Sequence, residues 1–107
     1  MTLPQEVRSG MGWHGVGWFR FDQSSVNLNA PAAPGLYALI DGTTIVYIGE
    51  TENLHKRLIE HCERLDDCVS QFVYLRFGYE LVLARSARLA RHEELVQELR
   101  PACNVAG

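Results

Sequence analysis

The sequence lacks a long apolar run: none reaches the about 18 residues that a membrane span requires, which argues against a transmembrane helix. Its first ten residues carry charges but no apolar segment, so they do not resemble a signal peptide. An excess of positive charge is also missing, since the net charge is −3 at pH 7. This excludes a protein that coats nucleic acid over its whole surface, but not one with a local basic patch. We expect a cytoplasmic protein that does not enter membranes.

Cysteine is scarce, with only Cys62, Cys68 and Cys103 in the chain. The number is odd and the spacing matches no zinc-binding pattern, which argues against a structural zinc site. We therefore expect three reduced thiols, as is usual for proteins of the cytosol.

What is present is enough for one folded domain. The chain has 107 residues, of which 47% are hydrophobic and 21% charged, so it can bury a core and is not disordered. Residues 1–34 differ from the rest: they contain an alternating stretch over 16–21, which could form an edge strand, and a proline-rich loop. We expect an N-terminal extension over 1–34 and a domain over 35–107.

The pattern after residue 34 predicts strands and helices in the order β-β-α-β-α. Two β-branched and aromatic runs around an Asp-Gly turn predict a hairpin. The remaining elements are a helix after an N-cap at Thr51, a third strand, and a long helix or helix pair that stops before Pro101. Their predicted ranges are 36–40 and 44–48 for the hairpin, 52–65, 71–77 and 81–99. We expect an α+β fold with a three-stranded antiparallel sheet flanked by helices.

The hairpin carries two tyrosines whose relative position depends on the loop length. With a three-residue loop over 41–43, Ile40 pairs with Thr44 and Tyr37 falls opposite Tyr47 on one face of the sheet. A two-residue loop would place the two rings on opposite faces. Ordinary strand aromatics remain an alternative interpretation of both residues.

The two predicted helices place polar side chains where apolar ones are expected. In the first helix, Arg57 and His61 lie one turn apart at the edge of an apolar stripe formed by Leu54, Leu58, Cys62 and Leu65. In the second, the inner face continues backwards from its leucines to His92, Arg88 and Arg85. Together with Lys56, Arg57 and Arg91, these two arginines predict a positive patch that suits a phosphate backbone. The alternatives are a buried salt bridge or a snorkelling side chain at Arg57, and a solvated basic face in place of the patch.

Several short motifs occur in a fixed order. Gly35-Leu36-Tyr37 is followed by Val46-Tyr47-Ile48-Gly49, with the tyrosines ten residues apart. Arg57 stands ten residues after Tyr47, His61 four residues later, and the segment 100–104 reads Arg-Pro-Ala-Cys-Asn. On these residues the region 35–104 resembles the GIY-YIG nuclease superfamily. The resemblance implies an endonuclease that hydrolyses a DNA phosphodiester with water and one divalent metal, Mg²⁺ or Mn²⁺.

The resemblance also implies the role of each residue. Tyr37 would be the general base or position the attacking water, and Tyr47 would support it by hydrogen bonding. Arg57 would stabilise charge on the phosphate. His61 would bond to the tyrosine or relay its proton, and Asn104 would fix the geometry of the site. The DNA contacts are predicted from the positive patch and not from the resemblance, and they involve Lys56, Arg85, Arg88 and Arg91.

One position departs from the pattern of the superfamily. Its metal ligand is a glutamate twelve residues before the asparagine, and this chain has His92 there, with Glu93 and Glu94 next to it. Three possibilities are open: a bulge turns Glu93 into the site, His92 binds a softer ion, or the site lacks metal and only binds DNA. Beside the endonuclease, we therefore keep two further hypotheses, a DNA-binding module without efficient cleavage and a structural domain.

The partner that the resemblance implies is DNA, and the sequence does not define which DNA is recognised. A homodimer or a partner protein could supply the specificity. Residues 1–34 could pack on the sheet, contact DNA or form a dimer interface.

Overall fold

The computed structural model of the protein describes residues 13–104. These residues form a four-stranded antiparallel sheet in the order β1-β4-β2-β3, flanked by three helices. The strands are β1 (Val16–Arg20), β2 (Gly35–Asp41), β3 (Thr44–Thr51) and β4 (Leu75–Leu81), and the helices are α1 (Gln23–Asn29), α2 (Leu54–Glu63) and α3 (Arg85–Leu99). A short 3-10 helix, Val69–Gln71, lies between α2 and β4. The predicted α+β class is confirmed, with four strands instead of three.

Alternating side chains of the central strand β2 divide the core into two layers. Leu36, Ala38 and Ile40 face α3 and pack with Leu95, whereas Tyr37 and Leu39 face the other way. That second layer contains Leu54 and Leu58 of α2, Val26 of α1, and Phe77 of β4. The two layers place α2 and α3 on opposite faces of the sheet.

The hairpin places Tyr37 and Tyr47 on one face, as predicted, but the predicted three-residue loop and the direct pairing of Tyr37 with Tyr47 are wrong. Its loop has two residues, with Gly42 at φ 60° and Asp41 paired with Thr44. A bulge then inserts Val46 as an extra residue, so that Leu39 lies opposite Tyr47 and Tyr37 opposite Gly49. The bulge reverses the parity that the short loop would impose, and both tyrosines therefore share one face.

Residues 13–34 contribute to the same sheet and core. β1 is the edge strand expected within 16–21, and it pairs with β4. Helix α1 was not predicted: Asp22 caps it by accepting a hydrogen bond from Ser25 N at 2.9 Å, but only Val26 of the helix is buried. A seven-residue helix with one buried side chain leaves little periodic signal in the sequence.

Three predicted boundaries shift. Asn53, not Thr51, caps α2, by accepting a bond from Lys56 N at 3.1 Å. The third predicted strand begins at Leu75 because the 3-10 helix occupies 69–71, and α3 begins only at Arg85 because residues up to Leu81 pair in the sheet. α3 ends as predicted before Pro101, where Arg100 adopts a left-handed conformation with φ 48°.

The prediction of three reduced thiols is wrong. Cys68 and Cys103, 35 residues apart in sequence, form a disulfide, and only Cys62 is free. The fold brings the loop before the 3-10 helix next to the residues that follow α3, a proximity that sequence spacing does not reveal. Within residues 13–104, no helix has the length and apolar character to cross a membrane.

Candidate active site

Tyr37 and Tyr47 form the floor of the candidate site, on the α2 face of the sheet. Their ring centroids are 6.0 Å apart. Tyr37 is 1% exposed, whereas Tyr47 is half-buried. The Tyr37 ring lies over Gly49, where an added Cβ would collide with the Cζ and Oη atoms. Gly49 therefore makes the space that the phenol occupies.

His61 of α2 lies directly against this phenol. Its Nε2 is 2.7 Å from Tyr37 Oη, and its ring packs against both tyrosine rings, with centroid distances of 5.5 and 5.6 Å. His61 is 7% exposed. Burial lowers the pKa of His61 below its ordinary value of 6.5, and the Arg57 charge lowers it further, against the opposing effect of Asp66 and Glu60. A neutral imidazole at this position favours an acceptor role for Nε2.

Tyr37 is held in its protonated form by the same burial. Desolvation raises the pKa of its phenol well above 10, Tyr47 adds to the increase, and Arg57 opposes it. The Arg57 guanidinium favours the phenolate form of Tyr37, but burial has the larger effect on its pKa. Tyr37 thus donates its hydrogen bond to His61, and the pair is neutral at pH 7.

Arg57 lies one turn before His61, between the phenols and solvent. Its side chain is 45% exposed, and its Nη1 donates to Glu60 Oε1 at 3.2 Å. Burial acts to lower the pKa of Arg57, but the neighbouring Tyr37 phenol and the Glu60 carboxylate raise it above its ordinary value. The guanidinium is therefore fixed beside Tyr37 while one side of it stays accessible. Glu60 was missed from the sequence, although its i,i+3 spacing from Arg57 is the signal for such a pair.

Asn104 binds the backbone of the strand that carries Tyr47. Its Oδ1 accepts from Ile48 N at 2.7 Å, and its Nδ2 donates to Ile48 O at 2.8 Å. β3 is an edge strand, so no further strand pairs with its outer backbone groups. Asn104 satisfies the N–H and C=O groups of Ile48 instead. Because Ile48 stands between Tyr47 and Gly49, Asn104 holds both residues in place.

At the predicted metal position, His92 is bonded to the backbone and Glu93 faces solvent. The Nε2 atom of His92 lies 3.1 Å from Ile48 O, so its bond goes to the backbone. Glu93 is exposed. Across residues 13–104, no three His, Cys, Asp or Glu side chains are grouped so that they could hold a metal ion. Mg²⁺ needs oxygen ligands, and His92 does not supply one.

The predicted cationic groove is only partly present. Arg88 is 2% exposed, and its Nε donates to Glu50 Oε1 at 2.9 Å. Arg91 forms a two-bond pair with Glu80, at 3.1 and 3.0 Å, and its side chain is 17% exposed. The helical periodicity correctly predicted that Arg88 points inward. Glu50 and Glu80, which lie on strands, form ion pairs with Arg88 and Arg91 and balance their charges. The burial and pairing of Arg88 and Arg91 argue against direct contacts of these two residues with DNA. Lys56 and Arg85 are exposed, so the predicted inward direction of Arg85 is wrong.

The structure thus brings Tyr37, Tyr47, Arg57 and His61 together on one face of the sheet, with Asn104 at its edge. His92 reaches the same edge from α3, whose body packs on the opposite face. The arrangement can move a proton from a buried phenol to an imidazole beside a fixed positive charge.

Comparison with known proteins gives one relative in sequence and several in structure. The chain is 31% identical over 81 residues to the UvrABC system protein C of Aquifex aeolicus, a match that covers 72% of this chain and 14% of that protein. Solved structures of the GIY-YIG N-terminal endonuclease domain of UvrC from Thermotoga maritima share the fold. The magnesium-bound form has a TM-score of 0.65 at 21% identity and covers 78% of this chain and 96% of that one.

A point mutant of the same domain, bound to its catalytic divalent cation, also has a TM-score of 0.65, at 20% identity, and covers 78% of this chain and 94% of its own. No family model matches the chain.

Proposed function

Because the chain belongs to the GIY-YIG superfamily, we propose that it is an endonuclease that hydrolyses a DNA phosphodiester at the site built around Tyr37. The observation that carries the proposal is the 2.7 Å bond between Tyr37 Oη and His61 Nε2, buried beside Arg57. The relatives named above include an endonuclease domain of UvrC. The chain spans 14% of the curated relative that it matches, so the activity of that whole protein is not transferred.

The proposed proton path runs from the attacking water through Tyr37 to His61. Because burial keeps the Tyr37 phenol protonated, it is a poor base by itself. It can accept the proton of the water only as it passes its own proton to Nε2 of His61, which the lowered pKa keeps neutral. General base catalysis of this kind contributes about 10²–10⁴ to a rate.

Arg57 is the proposed electrostatic partner of the phosphate. Its guanidinium stays beside Tyr37 through the bond to Glu60, and its exposed side faces solvent, from which DNA would approach. A fixed cation acts most strongly where charge develops on the phosphoryl oxygens. Tyr47 and Asn104 have supporting roles, since Tyr47 packs on the reacting ring and Asn104 holds its strand.

We propose that cutting needs a divalent cation, which the assay supplies as Mg²⁺ or Mn²⁺, but we assign no residue of the chain as its ligand. The described residues place an imidazole, bonded to Ile48 O, where the superfamily has a glutamate. The same observation favours a second candidate function, a GIY-YIG domain that binds DNA through exposed cations such as Lys56 and Arg85 and cuts it weakly.

Nicking of supercoiled plasmid in Mg²⁺ or Mn²⁺ tests the proposal. We expect Tyr37→Phe and Arg57→Ala to reduce nicking by at least about a hundredfold. Tyr74→Phe and Arg76→Ala are matched controls, because both residues are exposed and lie outside the site. Binding that weakens with salt but brings no nicking in either metal would reject the endonuclease and support the second candidate.

A further inference from the structure

The four residues after Arg100 run along the outer edge of β3. Ala102 N donates to Ile45 O at 2.9 Å, and Cys103 N donates to Val46 O at 2.7 Å. The side chain of Asn104 then forms hydrogen bonds with both the N–H and the C=O group of Ile48. We call residues 101–104 the edge segment. It continues the sheet by side-chain and backbone bonds in place of a fifth strand.

Besides the main chain, the disulfide is a second covalent link between the edge segment and the rest of the domain. It links Cys103 to Cys68, with a Cα–Cα distance of 5.8 Å. Cys68 is itself fixed, because the next residue, Val69, is fully buried and its N–H is bonded to Asp66 Oδ1 at 2.9 Å. Cys103 is adjacent to Asn104, so the bridge ends one residue away from the side chain that binds Ile48.

Without the bridge, the edge segment would depend on few bonds. Two backbone hydrogen bonds and the Asn104 pair remain, together with the buried ring of Pro101. Hydrogen bonds at an open edge exchange with water and stabilise little individually, so such segments open locally. Opening would leave Ile48 N without Asn104, whereas Ile48 O would keep its contact with His92.

We propose that the Cys68–Cys103 disulfide is a positioning element of the active site, which acts through Asn104 on Ile48 and makes cutting dependent on the thiol redox state. The proposal rests on the proposed nuclease function. A dithiol reductant switches the state: the S–S bond breaks, two electrons and two protons pass to the sulfurs, and the reductant becomes a disulfide. Two Cys thiols result, and the edge segment is then held only by its hydrogen bonds to β3 and by the Pro101 ring.

Amide hydrogen exchange at Ile48 in the full chain, with and without dithiothreitol, tests the proposal. We expect reduction to lower the protection of the Ile48 amide by about tenfold or more while amides of the central strand β2 keep theirs. Cys62→Ser should respond as the wild type does, because Cys62 is outside the bridge. Cys68→Ser should resemble the reduced protein in both conditions.

A second variant separates action through Asn104 from a general loss of stability. In Asn104→Ala the Ile48 amide has no side-chain partner, so its exchange should be fast and insensitive to dithiothreitol. The proposal is overturned if the response to dithiothreitol persists in this variant, if β2 amides lose as much protection as Ile48, or if the oxidised wild type has three titratable thiols.

The nicking assay supplies the functional readout. We expect reduction to lower kcat by about tenfold with little change in KM, because small misplacements of catalytic groups cost rate. Equal kcat in both states would overturn the proposal. A chain that nicks in neither state would reject the proposed function, and the Ile48 exchange would then still decide whether the bridge controls the edge segment.

Discussion

Tyr37 lies directly opposite Gly49 across the β2–β3 pair, and its ring fills the space that a side chain at position 49 would take. Gly49 of the second motif therefore provides the space in which Tyr37 of the first motif packs. The same ring reaches His61 with its hydroxyl group. A change at Gly49 should consequently act on the proton path without replacing any titratable group.

We expect Gly49→Ala to displace the Tyr37 ring, to destabilise the domain by about 1–3 kcal/mol and to abolish most nicking. Urea denaturation and the plasmid assay measure the two effects. Gly42→Asn is the control, since that glycine lies in open space at a positive φ that asparagine tolerates. Full nicking by Gly49→Ala would contradict the assignment of Tyr37.

The protonation of His61 should set an acid limit for activity. The folded-state pKa lies below 6.5, so the unfolded chain binds this proton first as the pH falls. Stability should therefore decline as the pH drops through 6.5 toward the folded value, and nicking should decline once His61 becomes charged. An NMR titration of its ring protons measures the midpoint directly.

Arg57→Ala provides a check on the cause of that shift. Removing the guanidinium takes away the second contribution that lowers the pKa of His61, while burial remains. The NMR midpoint should therefore rise but stay below 6.5. A midpoint at or above 6.5 in the wild type would contradict the neutral Tyr37–His61 pair.

His92→Glu should restore an oxygen ligand at the position where the superfamily has a glutamate. We expect it to create or raise Mg²⁺-dependent nicking, because a carboxylate suits Mg²⁺ better than an imidazole. His92→Gln, which adds no charge, is the matched control. Lower activity in His92→Glu than in the wild type would instead assign His92 itself a functional role.

The buried Arg88 and the exposed Arg85, both in α3, should respond differently to replacement by alanine. Arg88→Ala leaves Glu50 without its partner and should cost about 3 kcal/mol in urea denaturation. Arg85→Ala should change stability by less than about 0.5 kcal/mol and weaken DNA binding in a salt-dependent gel shift. If Arg88→Ala were as stable as the wild type, the buried pair would not have the structural role that we assign to it.

The chain's local patterns were sufficient to predict the hairpin, α2, α3 and the residues that converge on one face. Alternation along β2 and the one-turn spacing of Arg57 and His61 are properties of neighbouring residues, and the periods of strands and helices translate them directly into direction. The ordered motifs were sufficient to identify the superfamily. The edge strand within 16–21 was expected from the same alternation.

Tertiary structure decided what depends on residues far apart in the chain. The Val46 bulge, the pairing of Arg88 with Glu50 and of Arg91 with Glu80, the disulfide and the attachment of Asn104 to Ile48 all join separate elements. Burial is also a property of the assembled fold, and it determined that the Tyr37 phenol stays protonated despite the nearby arginine. The sequence alone thus determined that Arg57 and His61 lie on one face of their helix, because direction within an element follows from local periodicity. Only the folded chain determined their charge states and partners, because these depend on distance and on the exclusion of water.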